Sequence, residues 1–290
     1  MDFRLTEEQE MIRDMVRDFA QNEVKPVALE YDHKQDPKDC VPWDLLKKAS
    51  ELGLRTAAIP EKFGGVGADY PTLALILEEL GAADQGFATI LRGCYTESPR
   101  LVGELTPELR DEWLTKFMED DTFLLGLARS EPDAGTDSHF LYDEPGASIQ
   151  TYAVKQGDEY VINGTKVFTT NGSYADFFVV LVQEDAHAAP GKGMSTVIVE
   201  KDPRSWLGGS LEISEIPNKM GLRMTSSAEL VFHDLKIRKE NMLGQRGRGL
   251  LNVLESYYTL AADACACDLN ADGRCNRKDW HIFVKDWRRT

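Results

Sequence analysis

With 290 residues, 42% of them hydrophobic and 28% charged, the chain has the balance of a soluble globular protein with one large core or two ordinary ones. Its 33 basic against 49 acidic residues give a net charge of −16, which argues against a general attraction to nucleic acid or an anionic membrane and leaves room only for a local basic pocket. No apolar run approaches the roughly 20 residues that span a bilayer, and the opening MDFRLTEEQE lacks the apolar centre of a signal peptide, so a cytoplasmic location is expected.

Thr6 followed by Gln9 forms a capping box, and Met11, Ile12, Met15, Val16 and Phe19 recur at helical spacing, so the chain opens with an amphipathic helix. A second helix is expected over Trp43 to Leu52, stopping at Gly53. Gly64, Gly65 and Gly67 do not have the spacing of a dinucleotide loop and read as a tight turn, after which Pro71 opens a helix through Leu73, Ile76, Leu77 and Leu80. Helical segments follow around Gln85 to Gly93 and Pro107 to Glu119. Cys40 and Cys94 stand alone, as suits a reducing compartment, whereas Cys265, Cys267 and Cys275 crowd near the end.

From Phe123 the period changes to that of strands. Ile149 to Val154 and Tyr160 to Ile162 are joined by Gly157 and Asp158, and Asn163 with Gly164 reads as a second turn before Lys166 to Thr169. Phe177 to Val182, Met194 to Val199 and Glu229 to Phe232 continue the pattern, and short strands without long intervening helices predict a β-barrel or sandwich. The expected fold class is therefore α+β. An all-α part over residues 1–121 precedes a barrel-like β part over 122–235, a linker and helix stub over 236–264, and a short helical tail over 265–290.

Between these halves lies SEPDAGTD, Ser130 to Asp137. Proline fixes its backbone, Gly135 allows close approach of a ligand, and Ser130 and Thr136 supply short hydroxyls able to donate to phosphate or ring oxygens. An ordinary polar turn has the same composition. A few strands later stands NGTKVFTTNG, Asn163 to Gly172.

The pair of stretches resembles the acyl-CoA dehydrogenases, flavoproteins whose middle domain carries a loop of the form (T/S)EPxAG(S/T)D and a strand of the form NGxKxxITNG. A third ordered match is MGLRMTSSAELVFHDLKIRKENMLGQRGRG, Met220 to Gly249, and the resemblance extends over nearly all of residues 1 to 264. It implies FAD as cofactor, an acyl-CoA thioester as substrate and an electron-transfer flavoprotein as electron acceptor. Carried over by position, Ser130 would bond the pyrimidine edge of the flavin, Thr136 would reach toward the pyrophosphate, and Thr170 would lie at the N5 edge. Phe168 falls where the family has an aromatic residue, often tryptophan, packed on the isoalloxazine. Glu131 and Asp137 match the pattern too, and as acids beside a bound anion they are expected to brace backbone amides.

The family's catalytic glutamate comes from a C-terminal helical domain, usually late in it and in a minority on its first helix. The late position is expected to be missing from this chain. Aligning Gly247, Gly249 and Leu250 with the family's GxGF lead-in puts Leu260 and Ala261 where the minority's glutamate and its neighbouring arginine would be. Glu255 is the nearest acid, a turn or more too early, and reads better as an exposed helix-face residue.

In place of that domain the chain runs into CACDLNADGRCNRKDWHIFVKDW. Asp268, Asn270, Asp272, Asn276 and Asp279, with the Arg274 carbonyl, occupy the ligand positions of a calcium-binding loop, with Gly273 at its sharp turn. The loop resembles the dockerin version of that motif. It stands in a single copy, and an acidic turn without metal is the alternative. Zinc is not expected, since His281 is alone. Three functions compete: a FAD-dependent oxidoreductase of the acyl-CoA dehydrogenase family, a non-catalytic module that binds FAD, acyl-CoA or, through its tail, a calcium-dependent partner, and a subunit completed by another chain. Whether it forms homo- or hetero-oligomers is left open.

Overall fold

The computed structural model describes residues 4–135, 149–185, 187–188, 193–214 and 216–251. Helix α1, Glu7–Phe19, begins where the sequence predicts it: Thr6 Oγ1 accepts from the Gln9 amide at 3.1 Å and Gln9 Oε1 accepts from the Thr6 amide at 3.1 Å. A π-helical turn, Ala20–Val24, carries the chain directly into α2, Lys25–His33, a helix that hydrophobic spacing does not reveal because it has no buried residue. Helices α3, Trp43–Glu51, α4, Tyr70–Ala83, α5, Gln85–Glu104, and α6, Pro107–Glu119, complete the helical part. Asp69, Asp84 and Thr106 cap α4, α5 and α6, each accepting from the amide three residues on.

Eight strands follow among the described residues: β1, Leu125–Ala128, β2, Tyr152–Gln156, β3, Glu159–Thr170, β4, Phe177–Gln183, β5, Met194–Glu200, β6, Gly208–Ile213, β7, Ser227–Arg238, and β8, Met242–Leu243. They form one mixed sheet in the order β6-β7-β3-β2-β4-β5-β8, with β1 parallel to β4. This corrects the expected barrel: β6 and β8 end the sheet without pairing to each other, and it stays open. Strand-rich sequence reports pairing, whereas closure requires a matching tilt and stagger that the two-residue β8 does not supply. Every residue of β4 is buried, on both faces of the sheet.

The expected turn at Asn163-Gly164 is likewise not a turn. β3 runs through it with a register shift against β7, Asn163 standing opposite both His233 and Asp234. The Asn163 side chain holds the extra residue, accepting from the Asp234 amide at 2.8 Å and donating to its carboxylate at 3.0 Å. Gly164 is required there because a Cβ would come within 2.6 Å of the Thr151 backbone and because φ is +141°.

Helices and sheet share one core. Trp113 stacks on Phe117 at 5.1 Å and meets Phe177 of β4 at 5.5 Å, while Phe117 meets Phe123 edge-on at 5.9 Å. Arg55 is buried over the Phe117 ring, donating to Ser50 Oγ at 3.0 Å and to the Phe123 carbonyl at 3.3 Å, and burial pulls its pKa down. Cys40 and Cys94 are free and buried. Among the described residues no helix is long and apolar enough to cross a membrane.

Asn171, just past β3, ties α5 to the sheet. Buried and at φ +61°, it donates from Nδ2 to the carbonyls of Ile90 at 3.2 Å and Leu125 at 3.1 Å. Its Oδ1 accepts from Tyr174 Oη at 3.2 Å and Thr225 Oγ1 at 3.1 Å, so the whole bonding capacity of the amide is used. Asn171→Ala leaves these buried groups unpaired at a left-handed position and should lower the unfolding free energy by about 3 kcal/mol in urea titrations.

Candidate functional site

β1 delivers Arg129 and Ser130 to the end of the sheet, where the Ser130 carbonyl accepts from the Val167 amide of β3 at 2.8 Å. Glu131 and Ala134 then exchange backbone bonds of 2.8 and 3.2 Å, closing a tight turn over Pro132 and Asp133. The Glu131 side chain turns inward, accepting from the Thr151 amide at 2.9 Å, from the Gln150 amide, and from Lys166 Nζ at 2.7 Å. Lys166 also donates to the Arg129 carbonyl at 3.1 Å and is wholly buried. Glu131 thus braces backbone amides, and Lys166 ties the start of the turn, at Arg129 and Glu131, to β3. Desolvation holds the Lys166 ammonium below the ordinary lysine range, at about 8, against the upward pull of Glu131.

Immediately after Lys166 the strand bulges. Lys166 pairs with Leu230 and Thr169 with Ala228, so Val167 and Phe168 together stand opposite Glu229. The bulge puts Phe168 at φ +55°, a costly conformation for a bulky residue, and leaves the residue 74% exposed. Phe168, Val167 and Thr170 form one side of a cleft of about 130 Å³, which Ser130 and Arg129 continue. Arg92, Gly93 and Thr96 of α5 face them, with Leu125 and Leu127 between. The Ser130 and Thr170 hydroxyls have no hydrogen-bond partner among the described residues.

Of the residues singled out in the sequence, Ser130, Phe168 and Thr170 meet at this cleft. Gly135 ends the described part of the loop, exposed, and a Cβ there would meet nothing within 4 Å. Thr136 lies outside the described residues, as do Glu255, Leu260, Ala261, the cysteines of the tail and the calcium-loop positions Asp268, Asn270, Asp272, Arg274, Asn276 and Asp279. Among the described residues no group of three or more His, Cys, Asp or Glu could hold a metal. Larger hollows, about 720 Å³ beside α2 and α3 and about 830 Å³ between α6 and the β4–β5 end, are lined mainly by charged residues and contain none of the motif residues.

A flat aromatic group with a polar edge fits the cleft: an uncovered ring offers stacking, and two unpaired hydroxyls offer bonds at the rim. Its volume is well under the roughly 300–1,000 Å³ of a complete ligand pocket, so the described residues form part of a site rather than all of it. Sequence reading missed Lys166, although Glu131 and Lys166 are both fixed letters of the two patterns. It also missed Asn171 and Arg92.

A helical layer packed on an open sheet, with a motif-lined cleft where they meet, defines an α+β framework of two parts. Comparison with known proteins makes this specific. The model of the acyl-CoA dehydrogenase N-terminal domain matches residues 6–121, and that of the middle domain matches 126–235. The short-chain specific acyl-CoA dehydrogenase of Clostridium acetobutylicum is 38% identical over 251 residues, covering 86% of this chain and 61% of the relative. Cyclohex-1-ene-1-carbonyl-CoA dehydrogenase of Geobacter metallireducens is 37% identical over 269 residues, covering 93% and 65%. Among solved structures, butyryl-CoA dehydrogenase from Megasphaera elsdenii superposes with a TM-score of 0.76 at 30% identity, covering 91% of this chain and 66% of that one. A chain in the structure of the electron transferring flavoprotein of Acidaminococcus fermentans gives 0.76 at 33% identity, covering 92% and 65%. The chain belongs to the acyl-CoA dehydrogenase family through its N-terminal and middle domains, and it spans less than two thirds of the length of these two sequence relatives.

The buried pair sets a test. Lys166→Met leaves Glu131 charged and uncompensated and should cost about 3–5 kcal/mol of stability, whereas adding Glu131→Gln should restore part of it, read as a double-mutant cycle in urea. Since the folded-state pKa of Lys166 is lowered, the unfolded chain binds more protons between pH 8 and the ordinary lysine value of 10.5. Its contribution therefore becomes more favourable as pH rises through that window, and the stability of the wild type should rise relative to Lys166→Met there.

Proposed function

We propose that this chain is an FAD-binding, acyl-CoA dehydrogenase-like oxidoreductase component that acts on an acyl-CoA thioester and passes electrons to an electron-transferring flavoprotein. The observation that carries the reading is the meeting of Ser130, Phe168 and Thr170, two motifs some forty residues apart in sequence, at one cleft with unpaired hydroxyls and an uncovered ring. The Ser130 and Thr170 hydroxyls would hold the polar edges of the flavin and Phe168 would stack on its ring system, with Thr136 directed toward the pyrophosphate. Bound there, FAD would supply the acceptor for a hydride from the β-carbon of the thioester. The chain's own residues orient the ring and shield one face of it from water. The family relationship and the flavoprotein-containing structural neighbour support substrate and partner.

Removal of the α-proton needs a carboxylate within reach of the cleft. Among the described residues, none of those lining it is Asp or Glu. That observation favours a second element of the reading, in which the base is supplied by residues beyond 251, Glu255 among them, or by another chain.

The test is reconstitution. Protein incubated with FAD and desalted should keep the flavin absorption bands, and Ser130→Ala combined with Thr170→Val should weaken retention about tenfold. A chain that shows no flavin bands after reconstitution overturns the proposal. Bleaching of bound flavin by butyryl-CoA would mark a base present in this chain, and its absence together with retained FAD would mark a base supplied by a partner.

A further inference from the structure

The wall of the cleft opposite the flavin-type residues is a single turn of α5. Gly93 brings that turn hard against the sheet: a Cβ there would lie 3.0 Å from Asn171 Nδ2 and 3.1 Å from the Leu125 carbonyl. Arg92 and Thr96, four residues apart, flank it on one helix face. The Thr96 hydroxyl donates back to α5 carbonyls, those of Arg92 at 3.2 Å and Gly93 at 3.3 Å, so it is already partnered.

Arg92 is different. Among the described residues its guanidinium has no hydrogen bond and no ion pair, although the chain carries a net charge of −16. The other arginine toward the end of α5, Arg100, shows the contrast, being buried among Glu97 at 3.5 Å, Glu104 at 3.2 Å and Thr196 Oγ1 at 3.4 Å. Glu97, the acid one turn beyond Arg92, is buried beside Arg100.

We propose that Arg92 is a specificity-determining residue that gives this cleft a preference for an acyl thioester whose acyl group ends in a carboxylate. This rests on the acyl-CoA reading of the cleft. With the β1–β3 wall assigned to the flavin, the α5 wall is the surface left to the other reactant. An alkyl terminus against it would strip water from a guanidinium and return nothing, whereas a carboxylate matches the planar fork with two charge-assisted bonds. A contact from Arg92 to a phosphate of FAD or of CoA would instead serve every acyl group alike.

The experiment uses the full chain loaded with FAD, titrated with glutaryl-CoA and with pentanoyl-CoA, which have the same number of acyl carbons, following the shift of the flavin absorption bands. Glutaryl-CoA should bind about tenfold more tightly at low ionic strength, with the preference shrinking as salt is raised. Arg92→Met should weaken glutaryl-CoA alone and bring the two within about twofold, and Arg92→Lys should keep part of the preference. Equal affinities in the wild type, or a Met variant that weakens both thioesters by the same factor, overturn the role of Arg92 and leave the acyl-CoA reading standing. Bound FAD whose spectrum neither thioester alters overturns that reading and the inference with it.

Discussion

A lysine and a glutamate, both shut away from water and 2.7 Å apart, decide where the candidate flavin loop sits. Two ions in a protein interior are a poor source of net stability, because desolvation takes back most of the Coulombic gain. What Glu131 and Lys166 supply is geometry. Lys166 reaches the Arg129 carbonyl as well as the Glu131 carboxylate, and Glu131 gathers the amides of Gln150 and Thr151, so one pair fixes the end of β1, the turn after it and the approach to β2. Neither charge can be relocated without leaving the other unsatisfied. The loop therefore has one low-energy position relative to β3, and the bulge that turns Phe168 outward begins at the residue after Lys166.

The opposite wall is set by an equally local constraint. Asn171 spends both of its donors on carbonyls from two different elements, Ile90 of α5 and Leu125 of β1, and Gly93 allows the helix to come that close. Because Asn171 is one residue past β3, the same strand that carries Phe168 and Thr170 also fixes the distance to Arg92 and Thr96. The cleft is narrow because both walls are pinned to one strand, with polar bonds on one side and an ion pair on the other.

How much of this could be read in advance follows the range of the interactions. The capping box at Thr6 and Gln9 and the apolar spacing of α1 and α4 are local signals, and the helices stand where they point. α2 escaped because nothing on it is buried, and β6, with GGSLEI on a sheet edge, has neither strict alternation nor an apolar face. Asn163-Gly164 has the composition of a turn, yet the pairing of β3 with β7 on both sides of it overrode that local preference and made it a bulge. At the site, Ser130, Phe168 and Thr170 were legible because each belongs to a stretch with a recognisable pattern. Arg92 was not, since an arginine on a helix gives no sign in sequence of whether an acid stands beside it.

The loop is coupled to more than the cleft. Ala134, at the close of its tight turn, packs in a small separate core with Ile149, Leu181 of β4, Met194 of β5 and Leu250, which lies in the helix beginning at residue 249. The lead-in to that helix is clamped from the other side: Arg246 pairs with Glu184, the Gly247 amide donates to Ser195 Oγ at 2.8 Å, and a Cβ on Gly249 would run into the Ser195 backbone at 2.4 Å. The direction in which the chain leaves the described structure is thus fixed against the same turn that Glu131 and Lys166 hold. Leu250 is thereby linked to the candidate flavin site through a handful of apolar contacts and one buried ion pair, without a long route through the sheet. Ala134 belongs to both sides of this link, since it closes the turn of the Ser130 loop and is buried in the same small core as Leu250.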